Sequence, residues 1–188
     1  DGVTGLALTP RMNWTLATAL ANDPDGLLSD LDILAAVALQ VTGSAAIDIG
    51  NGALVATVTG VELNLATMDV TDGTTTLTGA DILSFTGTAS LFAGVGGSLN
   101  GAHTAVVNGT IGFAVNSVSL SLVSATGALT DGANAGDSYV GVSVALSDAQ
   151  LIGVSGFELY ASGTLKLNSA SDGVTGLALT PRMNWTLA

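Results

Sequence analysis

The sequence predicts an all-β repeat protein, and three observations support that class. The seventeen residues that open the chain, DGVTGLALTPRMNWTLA, stand again at its end, from Asp172 to Ala188. Several runs alternate apolar and polar residues with the two-residue period of a strand. Abundant Gly, Thr, Ser and Val, with little Glu, Lys, Arg or Gln, favour strands and turns over helices. We therefore predict a β-solenoid-like body of stacked coils forming an elongated filament, with a chain of β-sandwich domains as the alternative.

The duplicated segment defines a tandem period. Its copies begin at Asp1 and Asp172, so residues 1–171 form one repeat period and residues 172–188 start the next identical repeat. Stacked repeats bury faces that a single unit leaves open, so each unit needs a neighbour. We expect this chain to be a window cut from a longer protein. We also expect its partners to be neighbouring copies of the same repeat, joined covalently in tandem or by axial self-association.

Turn signals divide the period into three subrepeats. Asn-Gly and Asp-Gly dipeptides, which tolerate positive φ, recur at residues 51–52, 108–109 and 172–173. They delimit subrepeats over residues 3–52, 53–109 and 110–173. Each subrepeat also contains a version of one motif, which reads LSDLDIL, LTGADIL and LSDAQLI in turn.

The alternating runs predict where strands lie. Residues 61–65, 118–123 and 139–146 each place apolar side chains on one face and polar ones on the other. Residues 53–58 are apolar on both faces, which predicts a strand covered on both sides. The run at 152–167 also has the character of a strand. Only residues 14–21 suggest a short helix, and the alternative for this segment is a continuation of the preceding strand.

Composition excludes several classes of function. The chain has 15 acidic and 3 basic residues and a net charge of −12, too few cations to neutralise a run of phosphates, so we expect no nucleic-acid binding. Cysteine is absent, which excludes disulfides and thiolate metal sites. Apolar runs fall short of the roughly 18 residues that a membrane-spanning helix needs, so we expect no transmembrane segment.

Residues 117–173 carry a family resemblance. The runs SVSLSLVSA and DSYVGVSVALSDAQLIGVSGFELYASGTLKLNSASDG resemble a tandem β-repeat of giant secreted or surface proteins of Gram-negative bacteria, described as adhesin-like or hemolysin-type calcium-binding. The resemblance implies an extracellular, repetitive β protein and brings no catalytic residues. The GGxGxD nonapeptides that bind calcium in such proteins are missing from this sequence, so the resemblance does not carry over their ion sites.

One acidic loop is a candidate calcium site. In ANDPDGLLSDLD, residues 21–32, Asp23, Asp25 and Asp32 fall at positions 3, 5 and 12 of a twelve-residue calcium loop, with Gly26 at position 6. Ala at position 1, and Asp rather than Glu at position 12, depart from that pattern. The alternative is a solvated acidic loop, and calcium is the one cofactor that the sequence suggests.

The remaining residues give no sign of catalysis. His103 is the only histidine, and with no cysteine it makes neither a zinc site nor a triad, so we expect it on a loop or at the surface. We expect no enzyme. The sequence predicts a structural building block of an extracellular or cell-surface bacterial filament or sheath. The alternative is the stalk or binding repeat of a giant calcium-dependent adhesin.

Overall fold

The structure, a computed structural model, describes residues 11–186 and folds most of them into one antiparallel sheet. Six long strands form this sheet in the order β1-β2-β3-β6-β7-β8, and the short β4 and β5 pair separately. The prediction of an all-β protein is confirmed. The elements are α1 (Trp14–Ala17), β1 (Val37–Ile49), β2 (Leu54–Thr71), β3 (Thr76–Val95), β4 (Ser98–Leu99), β5 (Val106–Val107), β6 (Ile111–Thr126), a 3₁₀ turn (Gly132–Asn134), β7 (Ser138–Ile152) and β8 (Tyr160–Ser171).

The six strands form a meander, and stacked solenoid coils are not confirmed. Every ladder is antiparallel, and each long strand pairs with the next long strand along the chain. Alternation of apolar and polar residues determines which face a side chain occupies but not which strand lies alongside. The sequence therefore predicted the strands at 61–65, 118–123 and 139–146 without predicting how they pair.

The Asn-Gly and Asp-Gly dipeptides lie at opposite ends of the sheet. Asn51 and Gly52 close the β1–β2 turn with φ values of 54° and 87°, as the Asn-Gly signal predicts. The pair at 108–109 precedes β6 at this same end, which we call the Asn-Gly end. The Asp-Gly pairs at 72–73, 131–132 and 172–173 all lie at the opposite end, the Asp-Gly end. The subrepeat boundaries at 52 and 109 thus fall in connections at one end, and the three-part division itself stays a prediction.

Two local predictions differ from the structure in extent. The helix is shorter than residues 14–21: it spans four residues, with the Asn13 side chain accepting a hydrogen bond from the Leu16 N–H at 3.1 Å. The run at 152–167 is interrupted, because residues 153–159 turn the chain from β7 into β8. Residues 1–10 and 187–188, which hold parts of both copies and the start of the first subrepeat, lie outside the described residues.

The sheet has one polar and one apolar face. One row of cross-strand neighbours is polar on all six strands, and the row one residue along, on the opposite face, is apolar on all six. None of the six apolar side chains is buried; Val41 is 47% and Leu167 is 51% exposed. The polar row is Thr42, Glu62, Thr86, Ser121, Ser143 and Lys166. The apolar row is Val41, Leu63, Phe85, Leu122, Val142 and Leu167.

The main core lies on the polar face at the Asp-Gly end. There a row of apolar side chains crosses β3, β6, β7 and β8 as Ile82, Ala125, Tyr139 and Ala170. Leu77, Ala80 and Met183 complete this cluster and are each fully buried. Because Met183 belongs to residues 172–188, the second copy of the opening seventeen residues contributes to this core.

Candidate functional site

The second copy folds back across the polar face. After β8 the chain reverses, so that Ser171 bridges to Ala178 and the Leu179 N–H donates to the Ala170 carbonyl at 2.9 Å. We call residues 178–186 the docked segment. It crosses the sheet from β8 toward the β2–β3 turn, over strands that all belong to the first period.

Met183 anchors the docked segment. Its side chain is fully buried in a groove lined by apolar residues of β3, β6, β7 and β8. Complete burial of a methionine side chain stabilises by about 1.5–3 kcal/mol. We call this site the docking groove and define it by Leu77, Ala80, Ala125, Tyr139 and Ala170.

Asp72 holds the backbone of the docked segment. Its Oδ2 accepts a hydrogen bond from the Asn184 N–H at 2.6 Å. Its Oδ1 accepts from the N–H groups of Thr74 and Thr75 at 2.8 and 2.7 Å, which closes the β2–β3 turn. These bonds favour the carboxylate, so the pKa of Asp72 lies below its ordinary value, with the Asn184 N–H the largest cause. One carboxylate therefore joins a turn of the first period to the second copy.

Hydrogen bonds to Asn168 of β8 hold the docked segment at Met183 and Trp185. The indole Nε1 of Trp185 donates to Oδ1 of Asn168 at 3.3 Å. Nδ2 of the same asparagine donates to the Met183 carbonyl at 2.7 Å. The indole lies against Gly141 of β7, where an added β-carbon would meet the ring.

Further acidic groups surround the entry to the docked segment. Oδ1 of Asp137, which is buried, accepts from the Gly173 N–H at 2.9 Å and so ties the start of the second copy to β7. Burial raises the pKa of the Tyr139 phenol, and the carboxylates of Asp137 and Asp72 add to that effect. Ionised groups thus flank the groove, whereas its floor is apolar.

The first copy of the same letters has a different environment. Met12, the twin of Met183, is 58% exposed, whereas Met183 is 0% exposed. Arg11 donates from Nη1 to Thr67 Oγ1 at 3.5 Å, and the Trp14 N–H donates to the Ile33 carbonyl at 2.9 Å, so this copy contacts its own unit. Identical sequence therefore makes two different sets of contacts.

The acidic loop uses its carboxylates within its own unit. The two oxygens of Asp23 accept from the N–H groups of Leu27 and Leu28 at 3.2 and 2.7 Å. Asp32 accepts from the Thr15 hydroxyl at 3.2 Å, and Asp25 is exposed. Among residues 11–186 no three carboxylate or imidazole side chains converge as a metal site. Calcium binding by Asp23, Asp25 and Asp32 stays a prediction.

His103 lies exposed in the turn between β4 and β5, where the sequence placed it on a loop or at the surface. Within the described part of the chain, no helix has the length and apolar character needed to cross a membrane.

Sequence reasoning missed the residues that hold the docked segment. A weak signal was present: Asp-Gly-x-Thr-x-Leu occurs at residues 1–6 and, within the described residues, at 72–77 and 172–177. In both places the aspartate Oδ1 accepts hydrogen bonds from the two N–H groups at positions 3 and 4 of the motif. The motif marks the Asp-Gly end, but only the fold places Met183 and Trp185 over it.

Comparison with known proteins gives no family model, curated protein or solved structure that matches this chain.

Proposed function

We propose that this protein is a structural building block of an extracellular bacterial filament or sheath made of tandem 171-residue β units. The observation that carries the proposal is the apolar row that crosses all six strands of the sheet and is not buried on any of them. Its edge residues Val41 and Leu167 are exposed, and the four side chains between them are half-buried. A soluble monomer rarely leaves a contiguous apolar surface of this extent uncovered, and such surfaces are typical of interfaces.

The apolar face fits the apolar face of another copy. Two antiparallel sheets pack face to face at about 10 Å when their inner side chains are apolar, as in β-sandwiches. The row from Val41 to Leu167 carries no charge, so pairing it with itself buries no ion. The antiparallel meander thus favours the packed sheets of a β-sandwich over stacked solenoid coils. A chain of β-sandwich domains was the alternative predicted from the sequence.

The region before the sheet also carries apolar surface. Between residues 12 and 34 the side chains of Leu16, Leu20 and Leu27 are 60%, 76% and 82% exposed. In a tandem array this region follows a preceding unit, which would cover part of it. Lateral pairing of apolar faces and axial contact between successive units together produce an elongated body.

Composition supports an extracellular place for such a body. A net charge of −12 keeps assembled rods apart through mutual repulsion and attracts divalent cations. Without cysteine, stiffness depends on the hydrogen-bonded sheet and on apolar packing.

Adjacent residues on opposite faces of β6 provide the test. Leu122→Glu places a charge on the apolar face, whereas Ser121→Glu adds the same charge to the polar face. We expect the unchanged chain to associate with increasing concentration in sedimentation velocity. Leu122→Glu should weaken that association by tenfold or more, since about 1.4 kcal/mol corresponds to tenfold and burying an unpaired charge costs more than that.

Ser121→Glu serves as the matched control and should associate like the unchanged chain. A monomeric unchanged chain at all concentrations, or equal loss in both variants, would contradict the proposal. Electron microscopy of a chain of several periods should show particles that lengthen by a constant increment for each added period.

A further inference from the structure

The docking groove is filled by a sequence that the chain contains twice. Residues 179–185, LTPRMNW, occupy the groove and are repeated letter for letter at residues 8–14. The groove therefore recognises groups that both copies possess: the methionine side chain, the asparagine N–H and the indole. In the first copy the methionine and indole are 58% and 38% exposed.

We propose that the docking groove binds residues 8–14 of a second copy of this chain, so that separate chains join end to end through the same contacts. This inference rests on the proposed function and adds which two surfaces join one unit to the next. The axial partner is then the opening segment of another repeat. The surface that receives it is the groove around Tyr139 and Ala170.

The opening segment can dock without losing its bonds to its own unit, because the two sets of contacts use different groups. Toward its own unit the segment uses the Arg11 guanidinium and the Trp14 N–H. Toward the groove the docked copy uses the Met183 side chain, the Asn184 N–H and the Trp185 indole. Arg182, the twin of Arg11, is exposed in the docked segment.

The local backbone of the two copies also agrees. The Asn13 side chain accepts from the Leu16 N–H at 3.1 Å and begins α1. The Asn184 side chain accepts from the Thr186 N–H at 3.2 Å. Both asparagines thus cap the N–H groups that follow, as at a helix start. The capped N–H lies three residues after Asn13 and two residues after Asn184, so the two turns are related but not identical.

The groove opens onto free space on the polar face of the sheet. A cavity of about 840 Å³ continues along the polar face beside Trp185 and Thr186, lined among others by Ser84, Val123 and Lys166. A segment that docks must continue into its own unit, and this open space gives that continuation a path.

Within one chain the docked segment competes with any second copy. It is tethered to β8 by residues 172–177, so its effective concentration at the groove reaches the millimolar range. A separate copy should therefore bind measurably once the tethered segment is weakened. Met183→Ala does this by removing the side chain that the groove buries.

The test uses the full chain carrying Met183→Ala and a fluorescent peptide with the sequence of residues 1–17. Fluorescence anisotropy should show the peptide binding the variant at least roughly thirtyfold more tightly than the unchanged chain, in line with the weakening expected from losing a buried methionine. The same peptide with Met12→Asp is the control and should not bind. Bound peptide should also raise the melting temperature of the variant.

Three results would overturn the inference: no binding to a variant with native circular dichroism, equal binding of the Met12→Asp peptide, or equal binding to the unchanged chain. If Met183→Ala is unfolded, the peptide should restore the β-sheet signal, and failure to restore it counts against the inference. Peptide binding without association through the apolar face would remove the proposed filament and keep this joint. Association through the apolar face without peptide binding would keep the proposed filament and remove this joint.

Discussion

The indole of Trp185 lies directly against the backbone of Gly141: a β-carbon at this glycine would stand 2.7 Å from Nε1 and 2.8 Å from two ring carbons. Trp185 comes from the second copy of the duplicated segment and Gly141 from the first third of β7, so the contact joins that copy to the sheet. A glycine at this point in a strand has a packing reason, because any side chain would displace the ring.

We expect Gly141→Ala to loosen the docked segment. Overpacking of this kind costs about 1–3 kcal/mol, here at the expense of the Trp185 contact. The melting temperature should fall, and Trp185 fluorescence, read in a Trp14→Phe background, should shift to the red. Gly163→Ala on β8 is the control, because no atom lies within 4 Å of its added carbon. Equal effects of the two substitutions would show that Trp185 does not rest on Gly141.

The twin methionines provide a second prediction. Met183→Ala should lower the free energy of unfolding by about 2 kcal/mol or more, because it empties a buried site. Met12→Ala makes the same change in the same local sequence at an exposed position and should stay within about 0.5 kcal/mol. Urea denaturation of both variants measures the difference. Similar values would mean that the two copies have similar environments.

Acid should release the docked segment. The pKa of Asp72 is held below its ordinary value, first by the Asn184 N–H. Its stabilising effect is therefore full above the ordinary aspartate pKa of about 3.9 and is lost as the pH falls through the lowered value. Melting temperatures measured down the acid range should show this loss.

Asp72→Asn should reduce that acid dependence and lower stability at neutral pH, because an amide nitrogen in place of Oδ2 cannot accept from the Asn184 N–H. Asp172, whose pKa is also lowered, will retain its own share of acid sensitivity. Asp25→Asn, at an exposed site, is the control and should behave like the unchanged chain at every pH.

Chelation tests the acidic loop. We expect EDTA to leave the melting temperature unchanged, because both oxygens of Asp23 already accept bonds from backbone N–H groups of the loop. A rise in melting temperature on adding calcium, abolished by Asp23→Asn and Asp32→Asn, would instead establish the loop as a calcium site and favour the adhesin.

The sequence predicted the strands but not their arrangement. Alternation identified β2, β6 and β7, and the Asn51-Gly52 pair predicted a turn that the structure contains. Pairing depends on which strands meet through long-range contacts, which a two-residue period does not specify. For that reason the sequence did not predict the meander, and stacked coils are not confirmed.

The docked segment was beyond sequence reasoning for a related reason. Met12 and Met183 have the same neighbours in sequence, so no local rule distinguishes the exposed residue from the buried one. Only the groove formed by β3, β6, β7 and β8 makes them different. The duplication predicted neighbouring copies of the repeat as partners, and this stays a prediction. The structure shows the docked segment packed on the sheet of the same chain.

Methionine oxidation tests the central claim most directly. The chain has three methionines, with Met12 58%, Met68 49% and Met183 0% exposed. Brief treatment of the folded chain with peroxide converts accessible methionine to the sulfoxide. Cleavage by trypsin after Arg182 then releases residues 183–188, which separates the twins for mass spectrometry. We predict rapid oxidation of Met12 and Met68 and strong protection of Met183; oxidation of Met12 and Met183 at equal rates would contradict docking of the second copy.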